Sequence, residues 1–141
     1  MTCPICNGNA RIRGVSCPAC DLPADLSPQV RAARLALRAE GAAQMAECAP
    51  LEERAAFWRE AALSYLAQVH TLSSARLDAS TRDAVAVRCV EAAIDAGMDV
   101  EPLVIAVARL VSPRGLLLVC GVVRLRCTVD TEARLMGVLH G

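Results

Sequence analysis

The sequence predicts a mainly α protein: an irregular bundle of five or six helices behind a small cysteine-paired module at the N-terminus. Three observations carry that expectation. Apolar residues make up 55 % of the 141 positions but aromatics only 2 %, with alanine and leucine in excess. Such a mixture suits closely packed helices better than a sheet, which draws on aromatic and β-branched side chains. Prolines at Pro28, Pro50, Pro102 and Pro113 each stand at the start of an apolar or amphipathic run, the position where a helix accepts proline most readily. Two Cys-Pro-x-Cys pairs, Cys3/Cys6 and Cys17/Cys20, stand within the first twenty residues. The division expected is a metal-knuckle module over residues 1–22 and a helical domain over 27–141. A chain of this length buries about two-thirds of its unfolded surface, so the helical part needs no staples.

Taken in order, the pairs come first. Between them, Asn7, Gly8 and Asn9 are turn formers, and Ala10 to Arg13 alternates apolar and basic like a short strand that Gly14 ends. Residues 22–26 read as a linker. Ser27 is the expected N-cap and Pro28 the first turn of a helix whose apolar face is Val30, Ala33, Leu37 and Met45. Gly41 weakens its middle, so it ends there or runs on to Cys48. A second helix spans Leu51 to Leu72, with Glu52 and Glu53 in the turn where the helix dipole favours acids. Its stripe is Trp58, Ala62, Tyr65, Val69 and Leu72, leaving Arg54, Arg59, Glu60 and Gln68 for water. Ser80 or Thr81 should cap a third helix running to Ala96, with Ala86, Val90, Ala93 and Ile94 inward and Arg82, Asp83, Arg88, Glu91 and Asp95 outward. Gly97 then stops it. The run Leu103 to Val111 is apolar on all sides but Arg109, as in a buried helix. Residues 116–129 conflict: Val123, Leu125, Cys127 and Val129 alternate like a strand, while the Ser112-Pro113 start favours helix. Helix is the expectation. Asp130 or Thr131 should cap a last helix from Glu132 to Leu139.

Zero formal net charge removes any overall electrostatic drive towards nucleic acid or an anionic membrane. The longest apolar stretch, Leu103 to Leu125, is broken by Arg109, Arg114 and Arg124, short of the roughly 18 uncharged residues that a membrane-spanning helix requires. Met1 runs straight into the first cysteine pair, without the charged and apolar regions of a secretory leader. CxxC pairs outside a secretory context favour metal over disulfides. A reducing, cytoplasmic setting is expected.

Four thiolates at Cys3, Cys6, Cys17 and Cys20 suit one structural zinc ion, which takes sulfur at about 2.3 Å without a geometric preference of its own. The two-residue gap lets both sulfurs of a pair reach one ion. Pro4 and Pro18 stiffen each knuckle, and Gly8 permits a positive φ. With four protein ligands no coordination position is left for water, so the role is structural rather than catalytic. The stretch resembles the zinc-ribbon families, whose pattern is CPxC…CPxC, and Cys6-Asn7-Gly8 is similar to the knuckles in the cysteine-rich zinc domain of the J-domain co-chaperones. The resemblance covers only about the first 22 residues. Asp21-Leu22 follows Cys20 where those families place glycine, and no J domain or further set of knuckles follows. The resemblance implies a structural zinc and no particular activity.

No phosphate-binding glycine loop, nucleophile elbow or HExxH motif is present, and no small-molecule substrate is evident. His70 and His140 have no catalytic partner in the sequence, and Cys48, Cys89, Cys120 and Cys127 lack paired spacing and read as buried free thiols. The expected function is a non-enzymatic zinc-binding interaction protein, an adaptor or assembly subunit, whose zinc module and first helix dock a protein partner or a second copy. The alternative is a zinc-ribbon nucleic-acid-binding regulator that uses an arginine patch of Arg11, Arg13, Arg31, Arg34 and Arg38. That patch lacks the aromatic interleaving typical of single-strand binding.

Overall fold

The computed structural model describes residues 3–9, 11–12 and 15–140. Two two-residue strands, β1 (Arg11–Ile12) and β2 (Val15–Ser16), pair antiparallel with Arg11 opposite Ser16 and Ile12 opposite Val15. Among the described residues six helices follow: α1 (Pro28–Cys48), α2 (Leu51–Ser74), α3 (Ala79–Asp95), α4 (Val100–Ala108), α5 (Pro113–Arg126) and α6 (Val129–His140). The mainly helical class and the helix number agree with the sequence, and the ambiguous stretch is helix to Arg126.

Local chemistry sets most boundaries. Ser27 caps α1, its hydroxyl accepting from the Val30 N–H at 3.3 Å. Gly41 does not end α1. A Cβ there would meet nothing within 4 Å, so glycine costs only its propensity, about 1 kcal/mol, in a 21-residue helix held by packing. The α3 cap lies earlier than expected: Asp78, not Ser80 or Thr81, accepts from the Thr81 N–H at 3.2 Å and the Thr81 hydroxyl at 2.7 Å. At the other end Gly97 takes φ +70°, and the Met98 N–H reaches back to Ala93 O at 3.0 Å. Asp99 and Ser112 cap α4 and α5 through their side chains. α6 begins at Val129 rather than Glu132, because the Thr128 hydroxyl accepts from the Thr131 N–H at 3.2 Å.

The two-residue link Ala49–Pro50 folds α2 back on α1, and α2 is the middle of the bundle, packed against α1 on one side and α3 on the other. All nine residues from Ala61 to Val69 are buried, so the expected stripe is present but α2 is covered all round. Gln68, expected in water, is therefore inside, at 6 % exposure, and Arg59 and Glu60 are half-buried. α3 carries α5, and α4, α5 and α6 close the far end around Val107, Val119, Val123 and Leu135, all fully buried.

α1 differs most from its predicted face. Its buried residues are Ala32, Leu35, Ala39, Ala42 and Ala46, spaced three and four apart. Val30, Leu37 and Met45 point outward, at 42 %, 74 % and 53 % exposure. Ranking by side-chain size selects the wrong stripe. Alanines let α1 lie closer to α2 than leucines would, and interhelical distance follows the side chains at the contact.

One turn is knit by a buried carboxylate. Asp83, expected outside, is 8 % exposed. Its Oδ1 accepts from the Ser112 N–H at 3.1 Å, its Oδ2 from the Ser112 hydroxyl, and Arg82 donates to it at 3.3 Å. The same Ser112 hydroxyl accepts from the Gly115 N–H at 3.1 Å. Burial pushes the Asp83 carboxyl up, but the Ser112 and Arg82 donors outweigh it and hold the group below its ordinary value. The charge thus sits at the α5 N-terminus, where the helix dipole adds to the hydrogen bonds.

Candidate metal centre

The Cys3, Cys6, Cys17 and Cys20 sulfurs all lie within 4.8 Å of one another. Across the two knuckles, Cys3 Sγ is 3.9 Å from Cys17 Sγ and Cys6 Sγ is 3.6 Å from Cys20 Sγ. A tetrahedron with metal–sulfur bonds of about 2.3 Å has its sulfurs about 3.8 Å apart. The separations match that figure and are far from a disulfide, which needs about 2.05 Å. Among the described residues no disulfide joins these cysteines. The donor set fits a thiophilic ion held by the protein alone, the arrangement of structural zinc.

Each knuckle is shaped by its own sequence. In the first, the Asn7 N–H donates to Cys3 O at 2.9 Å and the Asn9 N–H to Cys6 O at 3.1 Å. Asn7 and Gly8 make this turn with φ of 54° and 84°, which asparagine and glycine tolerate best. In the second knuckle the Asp21 N–H donates to Cys17 O at 3.1 Å, and neither Cys20 nor Asp21 adopts a positive φ. This accounts for the absence of glycine after Cys20. Asp21 supplies a side chain instead: its carboxylate accepts from the Ser16 hydroxyl at 2.6 Å and from Arg38 at 2.8 Å. Those two donors, Ser16 first, hold the Asp21 carboxyl below its ordinary value.

Crowding shows in the thiols themselves. Burial pushes Cys17 up, although the Cys20 and Ala19 backbone groups pull the other way. Contact with Cys6 and then Cys3 pushes Cys20 up to about 12. Four thiolates at this spacing repel one another, and a divalent cation between them reverses that balance.

The module is tied to the helices by two arginines of α1. Arg31 donates to Ala19 O at 3.2 Å and to Pro23 O at 2.8 Å. Arg38 donates to Asp21, to Glu60 of α2 at 3.1 Å and to Ser16 O at 3.4 Å. Ile5, between the first two cysteines, packs against the helical core. Of the predicted arginine patch, Arg31 and Arg38 therefore spend their donors inside the protein. Arg34 is exposed and makes no ion pair among the described residues. Arg11 belongs to β1, and Arg13 and Gly14 lie outside the described residues. The helical spacing of Arg31, Arg34 and Arg38 was legible in the sequence, but not the acceptors of Arg31 and Arg38, three of which are backbone carbonyls.

His70 stands in a cleft of about 680 Å³ between the first knuckle and α2, together with Cys3, Cys20 and Arg31. Burial holds its imidazole below the ordinary value. The other cysteines do not assemble a second metal site among the described residues. Cys89 is buried, its thiol donating to Ala62 O at 3.3 Å, and burial raises its pKa. Cys120 and Cys127 are half-buried, whereas Cys48, expected inside, is exposed because it follows the outer edge of α1. Among the described residues no helix is long and apolar enough to cross a membrane. Comparison with known protein families, curated proteins and solved structures found no match for the chain.

Proposed function

We propose that this chain is a non-enzymatic zinc-binding interaction protein, in which the four-thiolate module and α1 together form a docking surface for protein. The observation that carries this reading is the pair Arg31 and Arg38. They fix the second knuckle against α1 and α2 while Val30, Leu37 and Met45 stay exposed on the same helix. Zinc in this role is structural. Its binding free energy, about 10–16 kcal/mol in small zinc-folded peptides, is ample to order a stretch too short to fold alone. The closed thiolate set leaves no position for a reacting water, which favours a binding role over catalysis. Paired CxxC cysteines that hold a metal suit a reducing, cytoplasmic setting. The nucleic-acid alternative is weakened because Arg31 and Arg38 each already donate to groups within the protein.

The test is a cross-linking pull-down on the zinc-loaded full chain, read by mass spectrometry, beside Leu37→Glu and Cys17→Ser. A protein held by the wild type and lost from both variants is the expected result. Equal retention by Leu37→Glu and the wild type overturns the reading.

A further inference from the structure

We infer that the docking face of α1 pairs with the same face of a second copy of this chain, antiparallel, about a two-fold axis at Gly41. The inference rests on the docking reading above and names its partner. At 100° per residue, Val30, Arg34, Leu37, Gly41, Met45 and Cys48 fall within about 40° of the Gly41 direction, on one outward stripe. Leu37 and Met45 are 74 % and 53 % exposed, and Leu51 just beyond the helix is 78 % exposed. The stripe is close to symmetric about its glycine: Leu37 lies four residues before Gly41 and Met45 four after. A two-fold axis at Gly41 therefore sets Leu37 of each copy beside Met45 of the other, in one layer, and Gly41 beside its own counterpart. Such self-complementarity is what an isologous interface requires, because every contact occurs twice.

The glycine itself needs a reason. In a helix interior it costs about 1 kcal/mol relative to alanine. Nothing in the chain's own fold needs the space, since a Cβ at Gly41 would meet no atom within 4 Å. A second backbone crossing there would need it. Charge selects the antiparallel sense. Arg34 lies in the N-terminal half of α1, exposed and without an ion pair among the described residues. Glu47, Glu52 and Glu53 are exposed at the opposite end, likewise without one. Antiparallel pairing brings each Arg34 towards the other copy's acidic end and opposes the helix dipoles, whereas parallel pairing aligns like ends. The contact is one helix wide, so it belongs with the smaller interfaces, below about 1,200 Å², and dissociates on dilution.

The test combines sedimentation equilibrium with a geometric cross-link, both on the zinc-loaded full chain. The wild type should move from monomer to dimer across the micromolar range. Leu37→Glu should raise the dissociation constant about a hundredfold, or about 2.7 kcal/mol, at unchanged helicity, and Arg34→Glu should raise it about tenfold. In a Cys48→Ser background, Leu37→Cys together with Met45→Cys, which the two-fold sets side by side, should form a covalent dimer on mild oxidation. Ala84→Cys, exposed on α3, should not. A chain that stays monomeric at every concentration, or that cross-links equally in both variants, overturns the inference. If the chain is monomeric but Leu37→Glu still releases another protein in the pull-down, the partner was wrong and the docking reading stands. If Leu37→Glu alters neither, both fall.

Discussion

Gly115→Ala isolates the one close approach, among the described residues of the bundle, that only glycine allows. A Cβ at this position would lie 2.6 Å from Asp83 Cγ, 2.7 Å from Asp83 Oδ1 and 3.0 Å from Val111 Cβ. Gly115 is buried in the first turn of α5, so alanine brings up to about 1 kcal/mol of helix propensity. Against that gain stands the Asp83 carboxylate, held by the Ser112 N–H and hydroxyl. It cannot step aside without releasing hydrogen bonds to a charged group, each worth about 1.5–3 kcal/mol. Loss of both outweighs the propensity, and the expected net destabilisation is about 2–5 kcal/mol. Urea unfolding followed by far-ultraviolet circular dichroism measures it, with zinc bound throughout. Gly121→Ala is the matched control in the same helix: nothing lies within 4 Å of a Cβ there, so it should be neutral or stabilising by up to about 1 kcal/mol. The decisive variant is Asp83→Ala with Gly115→Ala. Removing the carboxylate opens the space, so the second substitution should cost at least about 1 kcal/mol less in that background than alone. Strict additivity of the two changes, or a neutral Gly115→Ala, would refute the reasoning.

Three further outcomes follow from the same contacts. Arg38→Met keeps the apolar stem but removes the donors to Asp21, Glu60 and Ser16. Because Asp21 is 43 % exposed and screened, the stability cost should be only about 1 kcal/mol, while zinc transfer to a chelator, followed by absorbance, should become several-fold faster. Asp83→Asn should destabilise by about 1–2 kcal/mol near neutral pH. The folded pKa of Asp83 lies below its ordinary 3.8, so its stabilisation is complete above that value and is lost as the pH falls through the lower folded value. The difference between wild type and variant in acid unfolding should therefore close below about pH 4, with loss of metal common to both. Under a limiting alkylating agent, mass spectrometry should find Cys48 modified first and Cys89 only in the unfolded chain.

The helices were legible because each carries its own punctuation: Ser27-Pro28, Ala49-Pro50, Gly97 and Ser112-Pro113 mark ends by local rules that hold in any fold. The cluster of four cysteines was legible for the same reason, since their spacing alone brings each pair to one point. What a helix faces was less so. Val30, Leu37 and Met45 have the right spacing for a buried stripe, but the competing stripe from Ala32 to Ala46 wins because small side chains allow the closest approach to α2. Asp83 and Gln68 look solvent-facing as residue types, yet a partner 29 positions away at Ser112 and burial of α2 on both sides place them inside. Long-range neighbours of this kind leave no periodic trace.

Native mass spectrometry of the full chain, purified under reducing conditions, tests the central claim most directly. One zinc ion per chain, lost when Cys3, Cys6, Cys17 and Cys20 are changed to serine and retained when Cys48 and Cys120 are, is the predicted result. A wild-type chain at its bare mass, or one lighter by the two hydrogens of each disulfide, would contradict it.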